Sequence, residues 1–213
     1  MTKRTLIILT MLISAATISA GEVSPGLQAA KKYLDSLGMP YSFEDLAQLQ
    51  TLILYQRNVS DRDLAHLKAL TRLNHLYLGK TKITNAGLRH LRKLGNLEVL
   101  GLQETGISNA GLVHLKALKK LVRLNLSYTK VTNAGLARLG ALKNLQELYL
   151  NNTKVSDAGL GHLKKLKNLK RVELLETGVS ETGAEKLKRS NPHLYVLVVE
   201  GARDEEHKCN GPD

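Results

Sequence analysis

A unit of 24 residues repeats six times without a gap from Leu46 to Arg189. Its copies open on Leu46, Leu70, Leu94, Leu118, Leu142 and Leu166. The middle copies read nearly alike, as in LGKTKITNAGLRHL (78–91), LSYTKVTNAGLARL (126–139) and LNNTKVSDAGLGHL (150–163). A fixed period of this size means stacked coils, each burying its apolar face against its neighbours, so stability belongs to the array and not to any single unit. That excludes most globular architectures before any single residue is weighed.

Within a unit, positions 1, 4, 7, 9, 14, 19 and 22 are Leu, Ile or Val in every copy except at Ala184. Positions 7 and 9 alternate as on a strand with one buried face, and positions 19 and 22 mark one face of a short helix. Position 15 is always Ser or Thr (Ser60, Thr84, Ser108, Thr132, Ser156, Ser180), followed by Asp, Asn or Glu. This predicts a hydroxyl N-cap at the start of each helix. Position 12 is Thr in five units (Thr81, Thr105, Thr129, Thr153, Thr177), where a repeated hydroxyl is expected to bond backbone groups of the adjoining coil. These threonines read as structural, not as nucleophiles.

The pattern L-x-x-L-x-L-x-x-T-x-[IV], followed by [ST]-[DN]-A-G-L-x-x-L, resembles the leucine-rich-repeat family in its 24-residue form common in exported bacterial proteins. The resemblance implies an α/β leucine-rich-repeat solenoid, a curved horseshoe with a parallel β-sheet on its concave face and short helices on its convex face. It also implies a protein-binding scaffold without catalytic residues. Two departures stand out. The family's Asn at position 12 is Thr here, and unit one carries Arg57 there, with Arg62 and Asp63 in place of Ala-Gly, so its coil is expected to be irregular.

The flanks complete a five-part division. Residues 1–20 read as a signal peptide: Lys3 and Arg4, an apolar stretch from Leu6 to Ile18, then Ser19 and Ala20 before a cut after Ala20. The apolar run is shorter than the roughly 20 residues that span a bilayer, which favours a secreted or periplasmic product without a transmembrane span after cleavage. Residues 21–45 form a helical cap, 46–189 the six repeats, 190–200 a capping strand and 201–213 a polar tail expected to be disordered. The capping strand is expected one residue out of phase, with Leu194, Leu197 and Val199 as its apolar positions after the Asn191-Pro192 turn. The single cysteine, Cys209, falls in the tail and permits no internal disulfide.

Charge is concentrated in the array. Residues 46–189 hold 25 Lys plus Arg against 10 Asp plus Glu, a net of +15 within a chain of +12. Most of these cations fall at positions 20–24 and 1–5, on the convex side. Such a surface suits anionic partners, an envelope polymer first and nucleic acid last, and serves solubility equally well.

Repetition filters the candidate chemistry. His66, His90, His114 and His162 share position 21, and a column spreads ligands one per coil where a metal needs them convergent. Their protonation in mildly acidic surroundings would add to anion binding. GLQETGIS (101–108) has the glycine spacing of a phosphate loop, but Ile107 stands where its lysine must be. No catalytic residue, metal or other cofactor, and no small-molecule substrate, is expected.

The variable positions 6, 8 and 10 remain, facing the concave solvent side. Tyr55, His75, Tyr77, Gln103, Arg123, Asn125, Glu147, Tyr149, Asn151, Arg171 and Glu173 are the candidate partner-binding residues. The tyrosines are candidate anchors. Gly79 and Gly101 should leave a depression beside Tyr77, and Arg123, Glu147 and Arg171 should form a ladder of ion pairs across successive strands. The leading expectation is an exported, non-enzymatic module that recognises a protein on this face. An envelope protein holding an anionic polymer on its basic convex face is the alternative, and a ubiquitin-ligase-adaptor-like or effector role is weaker.

Overall fold

The computed structural model describes residues 23–198. The expected leader, the polar tail, Val199 and Cys209 lie outside the described residues. Seven three-residue strands form one parallel sheet in chain order: β1 (Thr51–Ile53), β2 (His75–Tyr77), β3 (Val99–Gly101), β4 (Arg123–Asn125), β5 (Glu147–Tyr149), β6 (Arg171–Glu173) and β7 (Tyr195–Leu197). Every pairing joins residues 24 apart, from Thr51 beside His75 to Arg171 beside Tyr195. The fold is therefore the expected α/β solenoid. The seventh strand, however, keeps the common register. Leu194 is buried one residue past the regular position, as expected, but Val196 points inward at 5% exposed and Leu197 takes a concave position, so the shift does not extend into the strand.

The seven apolar columns make one continuous core. All are buried except Leu49 and Val179, which are partly covered against it. Strands stack about 4.8 Å apart while helices are wider, so the sheet becomes the concave side. The convex returns are mostly 3₁₀ helix (Asp63–Ala69, Gly87–Lys93 and Gly111–Ala117), narrower than the α-helices the period suggests. The next two coils begin with one α-turn each, α3 (Asn133–Leu136) and α4 (Asp157–Leu160), before turning 3₁₀. Only the last return is a longer α-helix, α5 (Glu181–Ser190).

Each of the first six strands leaves the sheet through a left-handed residue at position 11: Gln56, Lys80, Glu104, Tyr128, Asn152 and Glu176, with φ between 51° and 59°. None is glycine. Each of the first five donates its N–H to the position-10 carbonyl of the next coil, as Lys80 does to Gln103 at 2.9 Å, and these ladder bonds hold the unfavourable torsion in place. The turn brings the position-12 hydroxyl back onto its own coil. Thr81 Oγ1 donates to the Leu78 carbonyl, and Thr105, Thr129, Thr153 and Thr177 do the same three residues back, at 2.6–2.7 Å. The threonines are structural, but they bond within a coil rather than across to the next.

The link between coils runs instead through positions 15 and 16. Asn85 Oδ1 accepts the Ser108 N–H at 2.8 Å, and Asn85 Nδ2 donates to Ser108 Oγ at 2.7 Å. Asn109 and Asn133 repeat this arrangement on Thr132 and Ser156. Asp61 and Asp157 accept from both the N–H and the hydroxyl of Thr84 and Ser180. This corrects the expectation of hydroxyl N-caps. Ser180 caps its helix, accepting the Gly183 N–H at 3.0 Å while donating to Asp157, and Thr84 accepts the Ala86 N–H only at 3.4 Å. Ser108, Thr132 and Ser156 instead accept from the preceding coil's Asn amide, and Ser60 donates to Asp63 of its own coil. The glycine at position 18 follows from the ladder. A Cβ on Gly111 would stand 2.5 Å from Asn85 Oδ1.

The first coil has no ladder partner behind it. Asp63 occupies the glycine position and accepts from the N–H and hydroxyl of Ser60, both at 2.7 Å. Its 3₁₀ return has the same length as the next two and Gln56 shares the left-handed φ, so the irregularity is confined to the turn, where the Arg57 N–H donates to the Leu54 carbonyl at 3.1 Å and the Val59 N–H to the Arg57 carbonyl at 2.8 Å. Two helices cover it. In α1 (Pro25–Ser36), Ser24 caps the Leu27 N–H, and in α2 (Phe43–Gln48), Ser42 and Asp45 form a capping box. Ala30, Leu34 and Leu46 close the core, and Arg57 Nη1 ties the coil to the Leu37 carbonyl at 3.0 Å.

Candidate functional site on the concave sheet

The register places the candidate residues in three columns across the sheet. Position 6 runs Thr51, His75, Val99, Arg123, Glu147, Arg171, and position 8 runs Ile53, Tyr77, Gly101, Asn125, Tyr149, Glu173. Tyr55, Gln103 and Asn151 lie at position 10, just past the strands. All eleven candidates thus share one face, but the face has two unlike ends.

At the carboxyl end the charges satisfy one another. Arg123 grips Glu147 with two bonds, Nε to Oε2 at 2.6 Å and Nη2 to Oε1 at 2.8 Å. Tyr149 Oη donates to Glu147 Oε2 at 2.7 Å. The Arg123 bond and, after it, the tyrosine bond hold the Glu147 carboxyl below the usual carboxylate range, while burial and this acceptor push the Tyr149 hydroxyl up. Arg171 does not continue the ladder. It turns along its own strand to Glu173 Oε1, with Nε at 2.9 Å and Nη2 at 2.7 Å, because the preceding strand's carboxylate is already taken by Arg123. Asn151 Nδ2 donates to Glu173 Oε2 at 2.9 Å, and its Oδ1 accepts the Leu175 N–H. Asn125 Oδ1 accepts the Ser127 N–H, so it too is occupied locally.

The amino end carries no such pairs on its strands. Ile53 is 57% exposed, and Tyr55, Tyr77 and Val99 are half-buried beside it. Thr51 Oγ1 and His75 Nδ1 lie 3.0 Å apart, and Lys80 Nζ sits 5.7 Å from the Tyr55 ring centre while pairing with Glu104. The expected depression over Gly79 and Gly101 is filled. The Gln103 side chain lies across it, so close that a Cβ on Gly79 would meet Gln103 Cδ at 2.5 Å and Tyr55 Cδ2 at 2.9 Å. Gln103 Oε1 is buried there without a hydrogen-bond partner.

Two concave residues escaped the sequence reading. Tyr195 is 51% exposed and lies under the Arg171 guanidinium, 5.1 Å from its ring centre. Counting 24 on from Arg171 would have found it. Ile53 was visible in its column, but an exposed aliphatic side chain carries no chemical signature.

Two histidines of the column, His90 and His114, are less available for protonation than expected. Burial first, and then Arg89 beside His90 and Arg92 beside His114, hold both imidazoles below their usual value. They therefore remain neutral further into the acidic range than free histidine. Among the described residues no group of His, Cys, Asp or Glu converges for a metal ion, and no helix is long and apolar enough to cross a membrane.

The geometry and one solved structure, the first named below, agree on the fold of a leucine-rich-repeat solenoid. No protein-family model matches the sequence, and no curated protein does. An internalin (inlF) of Listeria monocytogenes aligns over 72% of this chain with a TM-score of 0.53 at 19% identity; the chain spans about half of that structure, 48%. Internalin C2 of the same species aligns over 82% of this chain and 93% of its own at 21% identity, with a TM-score of 0.49.

Proposed function

We propose that the chain is an exported, non-enzymatic module that holds a protein partner on its concave sheet. The observation that carries this reading is the asymmetry of that face. Arg123, Glu147, Arg171 and Glu173 satisfy one another, whereas Ile53 and Tyr77 offer apolar and aromatic surface that no hydrogen bond or ion pair occupies among the described residues, with Tyr55 beside them under the Lys80 ammonium. Aromatic side chains on a rigid strand lose little freedom on binding and make good anchors. In this reading Tyr55, His75, Tyr77 and Gln103 form the contact centre. Asn125, Tyr149 and Asn151, with the paired charges, form the polar rim that sets orientation. The Lys3-Arg4 and Leu6–Ile18 leader supports export.

The test is a photo-crosslinking residue placed at Tyr77 in the chain produced by its own host, with one at Arg138 on the convex side as the comparison. One protein captured at Tyr77, in high salt, and lost on Ile53→Lys supports the concave site. Equal adducts from both positions, or none from Tyr77, would refute it. Amino-terminal sequencing of the product beginning at Gly21 checks export.

A further inference from the structure

A second surface of the solenoid has a different chemistry. Positions 20–24 and 1–5 of the successive coils form a flank that runs from the body of each convex helix to the start of the next strand. From Ala65 to Lys170, with residues 185–189 of the last coil, these positions carry 17 Lys or Arg against two acids, Glu98 and Glu185. Of the 17, only Arg189 has a carboxylate partner among the described residues, Glu185 at 3.7 Å. The other ion pairs all involve cations of the cap helix, the position-11 turns or the sheet.

The cations are also in line. Position 23 places Lys68, Arg92, Lys116, Lys164 and Lys188 in a column, and position 2 adds Lys119, Lys143 and Lys167 on three consecutive coils. Between them the backbone is fixed. Asn96, Asn144 and Asn168 each donate from Nδ2 to a position-2 carbonyl of the coil before, Thr71, Lys119 and Lys143, at 2.8–2.9 Å. Those bonds occupy carbonyl oxygens that would otherwise present negative ends to an anion. After burial, Arg89 beside His90 and Arg92 beside His114 add to the lowering of both imidazole pKa values.

We propose that this flank binds a linear, flexible polyphosphate-type polyanion lying along the solenoid axis, one or two charges per coil. Three observations favour this occupant. The cations form a line and not a cluster, so a polymer meets all of them where a single anion meets one or two. Twelve of the 17 are lysines, point charges that answer to charge density rather than to the fork geometry arginine reads. No Tyr or Phe stands at any of these positions, which leaves the bases of a single-stranded nucleic acid only the position-21 imidazoles and five guanidiniums to stack on, a weaker platform than an aromatic row.

The probe is fluorescently labelled long-chain polyphosphate, followed by anisotropy with the purified chain across a salt series. Engagement of about four phosphates gives a slope near −3 in log K against log salt, or roughly 60-fold weaker binding between about 50 and about 200 mM. Reversing Lys116, Lys119, Lys143, Lys164 and Lys167 to Glu is expected to weaken binding at least tenfold and to flatten that slope. The comparison variant reverses Lys82, Lys130 and Lys154, a cation column at position 13 away from the flank. Circular dichroism confirms that both variants are folded. The proposal is overturned by absence of binding at low salt, or by a loss per reversed charge in the comparison variant equal to that on the flank. It is overturned in favour of nucleic acid if single-stranded DNA of equal charge binds more tightly. Vesicles rich in anionic lipid displacing the polymer would overturn it in favour of a membrane surface. Tyr77→Ala should leave polyphosphate affinity unchanged, so this surface and the concave one stand or fall separately.

Discussion

Replacing Gly111 by alanine tests whether the coils are joined as described. The new Cβ would lie 2.5 Å from Asn85 Oδ1, 3.1 Å from Leu88 Cδ1 and 3.2 Å from Asn85 Cα. The flexible amide must yield, and it is the one that accepts the Ser108 N–H and donates to Ser108 Oγ. Stranding a part-buried N–H costs about 1–3 kcal/mol. Crowding adds about 1–3 kcal/mol, less the gain of up to about 1 kcal/mol that alanine brings to a helix. The net expectation is a loss of about 1–5 kcal/mol, or roughly 2–20 °C in melting temperature for an array of this size. Urea unfolding followed by circular dichroism gives the number, and a double-mutant cycle gives the cause. Asn85→Ala alone loses the ladder bonds and should cost about 1–3 kcal/mol. If Gly111 exists to make room for that amide, adding Gly111→Ala to Asn85→Ala should cost little more, leaving a coupling of about 2 kcal/mol. Additive losses, within about 0.5 kcal/mol, would refute the ladder as the reason for the glycine. Gly140→Ala, with nothing nearer than Lys165 Cδ at 3.6 Å, should be close to neutral.

Two other predictions concern hydroxyls and charge. Thr129→Val leaves the Leu126 carbonyl without its 2.6 Å donor and should cost about 1–2 kcal/mol in the same urea assay, with Thr129→Ser restoring most of it. Because Glu147 has a lowered pKa in the folded chain, its contribution is fully present above its unfolded value of about 4.3 and fades as pH falls through the lower folded value. Arg123→Gln should move the Glu147 carboxyl upward in a ¹³C NMR titration, and an unmoved carboxyl would rule out Arg123 as the main cause.

The architecture was legible because burial obeys the period: seven apolar columns define strand, return and core without reference to any side-chain geometry. Hydrogen-bond partners were not. Whether Thr81 bonds its own coil or the next is decided by the left-handed turn at Lys80, and position 11 holds Gln, Lys, Glu, Tyr, Asn and Glu, a mixture with no sign of positive φ. The role of the position-16 Asn was hidden for the same reason, since an Asx beside a Ser or Thr reads equally as a helix start. On the concave face the columns were found and the pairing was partly misjudged. Alternating signs at Arg123, Glu147 and Arg171 suggested a ladder, but Arg171 had a nearer carboxylate two residues along its own strand.

The division between columns that hold the fold and columns free to serve a partner can itself be measured within one strand. Leu76 and Tyr77 are neighbours in β2, and both carry large side chains. Leu76 is fully buried between Leu52 and Leu100 of the adjoining strands, so Leu76→Ala removes contacts on both sides of the coil and should cost about 2–5 kcal/mol. Tyr77 is half-buried, and no side chain hydrogen-bonds to its hydroxyl among the described residues. It rests over Gly101, whose missing Cβ would come within 3.3 Å of Tyr77 Cδ1. Tyr77→Ala should therefore cost less than about 1 kcal/mol, as expected of a side chain away from the core. If it instead destabilises the chain as much as Leu76→Ala does, the ring is part of the core. A loss of binding on its removal would then report unfolding rather than recognition.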